Sequence, residues 1–335
     1  MVDRMTLRRR ILFIGGSGVI STACVRAAVA AGHDVSVLNR GRSTRPLPEG
    51  VRELRADVRD ADAVAAVVGE RPFDVVADFL SFVPAHVETA LATVGGSAGQ
   101  YIFISSASAY EKPPRRLPIT ESTPLRNPFW QYSRDKIACE DLLVAAHRDR
   151  ELPVTIVRPS HTYDDTLLPT LGGWTDIARM RAGRPVVVHG DGSSLWTLTH
   201  SDDFAVGFTG LLGNPAAIGE AFTITGSHAP TWDQIYRWLA EAAGVDAPSL
   251  VHVASDTIAT AAPDLGPGLL GDKAHSVVFD ATRVRELSPE FGTTITFDEG
   301  ARRILAHYDA HPELQQVDPE LDELFDRLVA HADSV

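Results

Sequence analysis

Cysteine is scarce: Cys24 and Cys139 are the only two in 335 residues. Both fall in stretches with helical patterning, so a disulfide framework is excluded and reduced cytoplasmic thiols are the simplest account. Basic residues are outnumbered, with 31 Lys and Arg against 44 Asp and Glu, and the formal net charge of −13 argues against a broad surface for nucleic acid or an anionic membrane. Long apolar runs are missing as well. No stretch of membrane-spanning length is free of charge, proline and glycine. Arg8-Arg9-Arg10 followed by Ile11-Leu12-Phe13-Ile14 superficially resembles a secretion signal, but the apolar part stops at Gly15-Gly16, and a first β-strand is the better reading. No metal site is expected. His307 and His311 have helical metal-ligand spacing, yet no Glu stands between them, no third ligand is evident and Pro312 ends the helix. There is no internal repeat and no low-complexity segment. With 44% hydrophobic residues, what remains is an ordinary globular chain long enough for one large domain and a smaller one.

The opening forty residues read as strand, glycine turn, helix, strand. Ile11 to Ile14 is an apolar run, Gly15-Gly16-Ser17-Gly18 is the turn, a helical pattern runs through Ala31 to Gly32, and residues 35–38 are apolar again. Such a βαβ unit implies a parallel sheet with a right-handed crossover. The turn lies at a helix N-terminus, where free N–H groups and the helix dipole favour phosphate, so a dinucleotide is the leading ligand. Gly15, Ser17 and Gly18, with Val19 and Ile20 in the first helical turn, are its candidate contacts. The spacing Gly15-x-x-Gly18-x-x-Ser21 replaces the usual third glycine by a small residue that still permits close helix packing.

After the second strand the chain reads Leu38-Asn39-Arg40-Gly41-Arg42, without the carboxylate that commonly holds an adenosine ribose. Asn39 can bond a ribose hydroxyl, whereas Arg40 and Arg42 can grip a 2′-phosphate, which tilts the NAD(P) choice toward NADP. Asp57 and Val58, after a short strand at 51–54, stand where an adenine edge is expected. Helices at 61–68 and 84–94 alternate with strands at 73–79 and 101–105. The last of these ends in Ser105-Ser106-Ala107-Ser108-Ala109-Tyr110, a hydroxyl-rich tip at the sheet's carboxyl edge, where ligands of open α/β sheets bind.

Beyond a proline-rich loop comes Tyr132-Ser133-Arg134-Asp135-Lys136. Residues i and i+4 share a helix face, so Tyr132 and Lys136 reach one small volume. An ammonium beside a phenol lowers the phenol's pKa, which makes Tyr132 a candidate acid and base. A strand at 154–157 runs into Arg158-Pro159-Ser160-His161, placing Pro159 and His161 beside the same pocket. The clean alternation stops near residue 165. Residues 221–225 read as one more strand, Thr231 caps a helix at 232–243, 257–273 reads as a patternless loop, and two amphipathic helices from Asp298 finish the chain with a break near Pro312.

Six stretches in this order give the chain its likeness: Gly15 to Ser21, Ser105 to Tyr110, Tyr132 to Lys136, Arg158-Pro159 with Tyr163, His189-Gly190-Asp191-Gly192, and Thr199 to Asp203. Together they resemble the extended short-chain dehydrogenases/reductases of the NAD-dependent epimerase/dehydratase family. The resemblance implies an α/β fold, a Rossmann-type doubly wound parallel sheet with a smaller, discontinuous C-terminal substrate lobe. The dinucleotide domain would be residues 1–165, completed by about 186–225, and the lobe 166–185 and 226–335. It further implies that Ser106 is the catalytic hydroxyl, Tyr132 the proton donor and acceptor, and Lys136 the partner of the nicotinamide ribose, acting by hydride transfer on a sugar-like alcohol or ketone. A homodimer is the assembly it suggests.

Two departures narrow that expectation. The acid and base a dehydratase of the family needs after its hydroxyl are here Ala107 and Ser108, so water loss is disfavoured. The arginines that nucleotide-sugar enzymes of the family place on the diphosphate correspond to Trp196 and Leu269, with Lys273 the nearest compensating cation. The substrate would then lack a nucleotide, with Phe82, Ser108 and Trp196 as its candidate contacts. The alternative is a catalytically silent dinucleotide-binding protein, regulatory or RNA-binding, on the same fold.

Overall fold

A computed structural model describes residues 8–43, 45–69, 72–332 and 334. The predicted βαβ opening is β1 (Arg10–Ile14), α1 (Val19–Ala30) and β2 (Asp34–Asn39). Then come β3 (Arg52–Arg55), α2 (Ala61–Val68), β4 (Val75–Asp78), α3 (Pro84–Ala90), β5 (Tyr101–Ile104), α4 (Gln131–Arg150) and β6 (Val154–Pro159). Beyond them lie β7 (His161–Tyr163), α5 (Trp174–Arg181), β8 (Val186–His189), β9 (Leu198–His200), α6 (Ser201–Thr209), β10 (Ala221–Ile224), α7 (Trp232–Ala242) and β11 (Leu250–Val253).

Seven strands form one sheet in the order β10-β6-β5-β4-β1-β2-β3, every pair parallel. Alternation along β1 feeds two cores. Ile11 and Phe13 pack with Val25, Ala28 and Phe204 from α1 and α6, whereas Leu12 and Ile14 pack with Val64, Val87 and Leu143 from α2, α3 and α4. Each fully buried side chain of this kind contributes roughly 1.5–3 kcal/mol, which is why the strands read as continuous apolar runs. The order reverses between β1 and β4, and that switch point opens a crevice at the carboxyl ends of the strands.

Of the stretch 186–225, only β10 joins the large sheet. β8 pairs with β11, a strand with no clear sequence signal, and β9 pairs with β7. Around these small sheets a third core gathers Trp196, Trp232, Tyr236, Ile177, Val188, Phe297 and Ile304. α7 carries the expected Thr231 cap, completed by Gln234 reaching back to the Thr231 N–H. Two helices, Phe297–Ala310 and Pro319–Ala332, end the chain.

Residues 257–273 are not the loop their Gly, Pro and Ala content predicts. A helix spans Ser255–Ala261 and a wide helical turn spans Leu269–Lys273, with Ile258 and Leu269 buried against Val187 and Phe325. The small residues serve close packing: a Cβ on Gly271 would come 2.9 Å from the Cβ of Trp130. Among the described residues no helix is long and apolar enough to cross a membrane.

Candidate active site

Gly15 begins the turn after β1 with φ +84, and its N–H donates to the Leu38 carbonyl at 2.9 Å. Any Cβ there would fall 2.4 Å from Leu80 Cγ, so the position requires glycine on both counts. Ser21 does more than stay small. Its hydroxyl accepts the Gly18 N–H at 2.7 Å, bracing the turn at the point where α1 begins.

At the end of β5, Ser105 donates to Glu140 Oε1 at 2.5 Å, and Glu140 is held by Arg158 through Nη2 at 2.5 Å and Nε at 3.0 Å. Arg158 also donates to the Tyr110 hydroxyl at 3.1 Å. This buried group ties β5, α4 and β6 together beneath the site; the sequence marked Ser105 and Arg158 but held no sign that Glu140 was their partner. Ser106 Oγ lies 2.9 Å from Ser108 Oγ, which accepts from Ser133 at 2.8 Å. Ser108 is thereby engaged in a hydroxyl chain behind Ser106.

Tyr132 and Lys136 stand one turn apart on α4, as predicted, but their electrostatics differ from the expectation. The Lys136 ammonium donates to the Ser81 and Ile104 carbonyls at 2.6 and 2.7 Å and lies 5.9 Å from the Tyr132 ring centre. Burial lowers its pKa to about 8, with Asp78 the leading opposing charge. The Tyr132 pKa is raised, not lowered: burial dominates, the Ser106 hydroxyl pulls it back, and the Asp272 carboxylate pushes it further up. Burial outweighs the help of the Ser106 hydroxyl, so the buried phenol stays protonated.

Two cavities meet at this point. The first, of about 740 Å³, runs from Gly15, Ser17, Gly18 and Ile20 past Asn39, Arg40, Arg42, Asp57 and Val58 to Ser105, Ser106, Tyr132, Lys136 and Pro159. Val19 is half-buried at the start of α1 and is not on its wall. Arg40 sits 4.0 Å from the Asp57 carboxylate, and Asn39 accepts the Gly41 N–H at 2.8 Å. Arg59, unmarked in the sequence, also lines the cavity and donates to the Leu80 carbonyl at 3.2 Å. Phe82, a candidate substrate contact, is on this wall too, 4.8 Å from the Lys136 ammonium. A glycine turn at a helix N-terminus, a long cleft and a cationic rim suit a dinucleotide.

The second cavity, of about 290 Å³, is lined by Ser106, Ser108, Tyr132, Trp196, Asp272 and Lys273 among others. His161 belongs to this wall rather than to the first, because β7 turns away from the large sheet to pair with β9. Burial lowers its pKa to about 3, with Lys273 adding to the effect, so its ring is neutral at physiological pH. Trp196 is 1% exposed, packed 5.3 Å from Trp232 and edge-on to His161 at 5.8 Å. Leu269 is buried in a fourth, small core with Val187, Ile258 and Phe325, away from either cavity.

Residues 11–98 and 85–225 match the model of the NAD dependent epimerase/dehydratase family, and the chain belongs to that family. Among its relatives, it is 33% identical over 240 residues to the 2'-dehydrokanamycin reductase of Streptomyces kanamyceticus, covering 70% of this chain and 67% of that protein. It is 30% identical over 257 residues to the chloroplast stem-loop binding protein of 41 kDa b of Arabidopsis thaliana, covering 73% of this chain and 66% of that one. The chain therefore spans about two thirds of the length of these relatives. In fold it resembles the UDP-glucose 4-epimerase of Thermus thermophilus in complex with NAD, with a TM-score of 0.71 at 21% identity, covering 90% of this chain and 99% of that one.

Proposed function

We propose that this protein is an NAD(P)-dependent oxidoreductase that reduces a ketone, or interconverts secondary alcohols, on a sugar-like substrate. The observation that carries this reading is the shared wall: Ser106 and Tyr132 line both the cleft of the glycine turn and the second cavity, so one phenol faces both compartments. A bound nicotinamide supplies or removes hydride. The remaining work falls to this chain's own side chains. Tyr132, kept protonated by burial, is in the form that gives a proton to the alkoxide oxygen formed on reduction. Ser106 donates a hydrogen bond to the charge developing on that oxygen, and Ser108 with Ser133 fixes its hydroxyl. Lys136 locks α4 to the ends of β4 and β5 and holds positive charge beside the cleft. Ala107 and Ser108 provide neither the acid nor the base of a dehydratase. Arg40 and Arg42 on the first wall favour NADPH over NADH.

The test is titration with NADH and NADPH, followed by turnover of keto sugars monitored by loss of reduced-nicotinamide absorbance. Failure to bind either dinucleotide sinks the reading. A second reading, a silent binding protein, draws on the resemblance to the stem-loop binding protein. It is opposed by the net charge of −13 and by the presence of Ser106, Tyr132 and Lys136 together. Tight binding of a stem-loop RNA with no turnover of any keto sugar would reverse that choice.

A further inference from the structure

The second cavity presents buried nitrogens that, among the described residues, no protein group satisfies. Trp196 is 1% exposed and its indole nitrogen has no hydrogen-bond partner; the His161 Nε2 is likewise buried and unpartnered. Lys273 is the one cation on this wall among the described residues, and no hydrogen bond or ion pair reaches its ammonium. The one acid on the wall among the described residues, Asp272, is already taken by the fully buried Lys112 at 2.8 Å.

These groups are held by structure that does not depend on the Lys273 side chain. The Lys273 carbonyl accepts from His189 Nε2 at 3.0 Å and from Trp232 Nε1 at 3.1 Å. Asn127 donates to the Gly271 carbonyl at 2.7 Å and to the Ser108 carbonyl at 2.9 Å, tying this turn to the hydroxyl chain behind Ser106. The backbone is thus anchored on both sides of the Asp272 ion pair, while the ammonium is left over. A buried nitrogen without a partner loses the value of its hydration, so the Trp196 N–H and the His161 Nε2, beside an ammonium that no protein group pairs, define what a ligand must bring: acceptor oxygens, and negative charge for the lysine.

Building on the oxidoreductase reading above, we propose that the second cavity is an anion subsite in which Lys273, with Trp196 and His161, holds a carboxylate or phosphate on the substrate away from the carbon that reacts beside Tyr132. The volume of about 290 Å³ lies at the small end of ordinary ligand pockets and suits one sugar-sized acid. A neutral sugar leaves the ammonium unpaired, and an aminosugar places a second cation against it. Lys273 is therefore a specificity-determining residue, and in a chain of net charge −13 it makes this pocket select acids locally.

The experiment is calorimetric titration of the whole protein, with NADP⁺ present, using D-glucuronate, D-glucose 6-phosphate, D-glucose and D-glucosamine as probes. At least one acid is expected to bind about 10-fold tighter than glucose, with glucosamine weakest. Lys273→Gln is expected to erase that preference, and Lys273→Arg to keep part of it. Dinucleotide affinity and the thermal midpoint of Lys273→Gln should match the parent, which separates loss of the subsite from loss of the fold. Equal binding of acids and glucose, no binding of either acid, or a preference that survives Lys273→Gln overturns the proposal. If Lys273-dependent acid binding is found in a protein that binds no dinucleotide, the subsite stands and the oxidoreductase reading falls; dinucleotide binding without acid preference has the opposite meaning. Which acid binds tells carboxylate from phosphate.

Discussion

The two halves of the molecule treat buried polarity differently. Among the described residues, every buried side-chain nitrogen or oxygen without a partner lies at or beyond residue 161: His161, Tyr163, Thr170, Asp176, His189, Trp196, Thr225, His228 and Tyr236. In the first half, groups such as Asp78, Gln100, Glu140 and Lys136 are equally buried, yet all are paired. A satisfied interior is a finished scaffold. An unsatisfied one either awaits a ligand or stores instability, and the second half contains both kinds.

The sharpest way to break this contrast is at the junction of the halves. Tyr132→Phe removes the proton but leaves the ring between Trp130 and Phe82, 4.9 and 6.5 Å away. Turnover of a keto sugar is expected to fall about 100- to 10,000-fold, with dinucleotide affinity unchanged in titration. Undiminished turnover would remove Tyr132 from the chemistry. The next largest effect tests the scaffold. Arg158→Met strands Glu140 as a buried, uncompensated carboxylate and should cost about 3–5 kcal/mol in urea unfolding. Adding Glu140→Gln removes the stranded charge and should restore much of that loss; no recovery would mean that the pair acts mainly through packing.

The same contrast explains what the sequence made legible. The middle of the large sheet was readable because strands such as Ile11 to Ile14 and Tyr101 to Ile104 are buried on both faces and so are apolar along their whole length, whereas the edge strand β3, Arg52–Arg55, is mostly exposed and polar. The first cavity was readable for a related reason: Gly15 to Ile20, Asn39 to Arg42 and Asp57-Val58 are short contiguous stretches whose geometry follows from one turn and two strand ends. The second cavity draws on residues near 106, 130, 161, 196 and 272, brought together by β7, β9 and a helical turn with no hydrophobic period of its own. Residues 257–273 looked patternless because small residues were selected for close approach. The reversed direction of the Tyr132 pKa has a physical cause as well: spacing on a helix fixes proximity to Lys136, but not how deeply the phenol is buried, and burial is what raises it.

A smaller effect bears on the unsatisfied half directly. Asp176, in the first turn of α5, accepts the Gly172 N–H at 2.9 Å through one oxygen while the other has no partner. Burial raises its pKa to about 7, against lesser lowering by Thr170, Gly172 and Arg179. Its folded pKa lies above the unfolded value, so the folded state holds a proton that the unfolded state releases, and stability is lost as pH rises from about 4 to about 7. Asp176→Asn should flatten that slope and raise stability at pH 8 by on the order of 2 kcal/mol, read from urea unfolding at pH 5 and pH 8. An unchanged slope would assign the pH dependence to other groups.

The smallest expected effect lies on the satisfied side, where even an exposed rim residue is paired. Arg40 and the Asp57 carboxylate are 4.0 Å apart and both half in solvent, an arrangement worth at most about 1 kcal/mol. A 2′-phosphate offers Arg40 a doubly charged, multidentate partner in place of that weak one, so preference for NADPH should come from exchanging Asp57 for phosphate. Arg40→Ala is then expected to reduce the NADPH to NADH affinity ratio by about 10-fold, leaving NADH binding nearly unaltered. Asp57→Asn should move the ratio the other way, because it frees the guanidinium without removing it. Opposite shifts from the two substitutions would identify the competition, whereas a ratio near one in the parent protein and both variants would assign dinucleotide choice to Arg42 or Arg59, or to no cation on this rim at all.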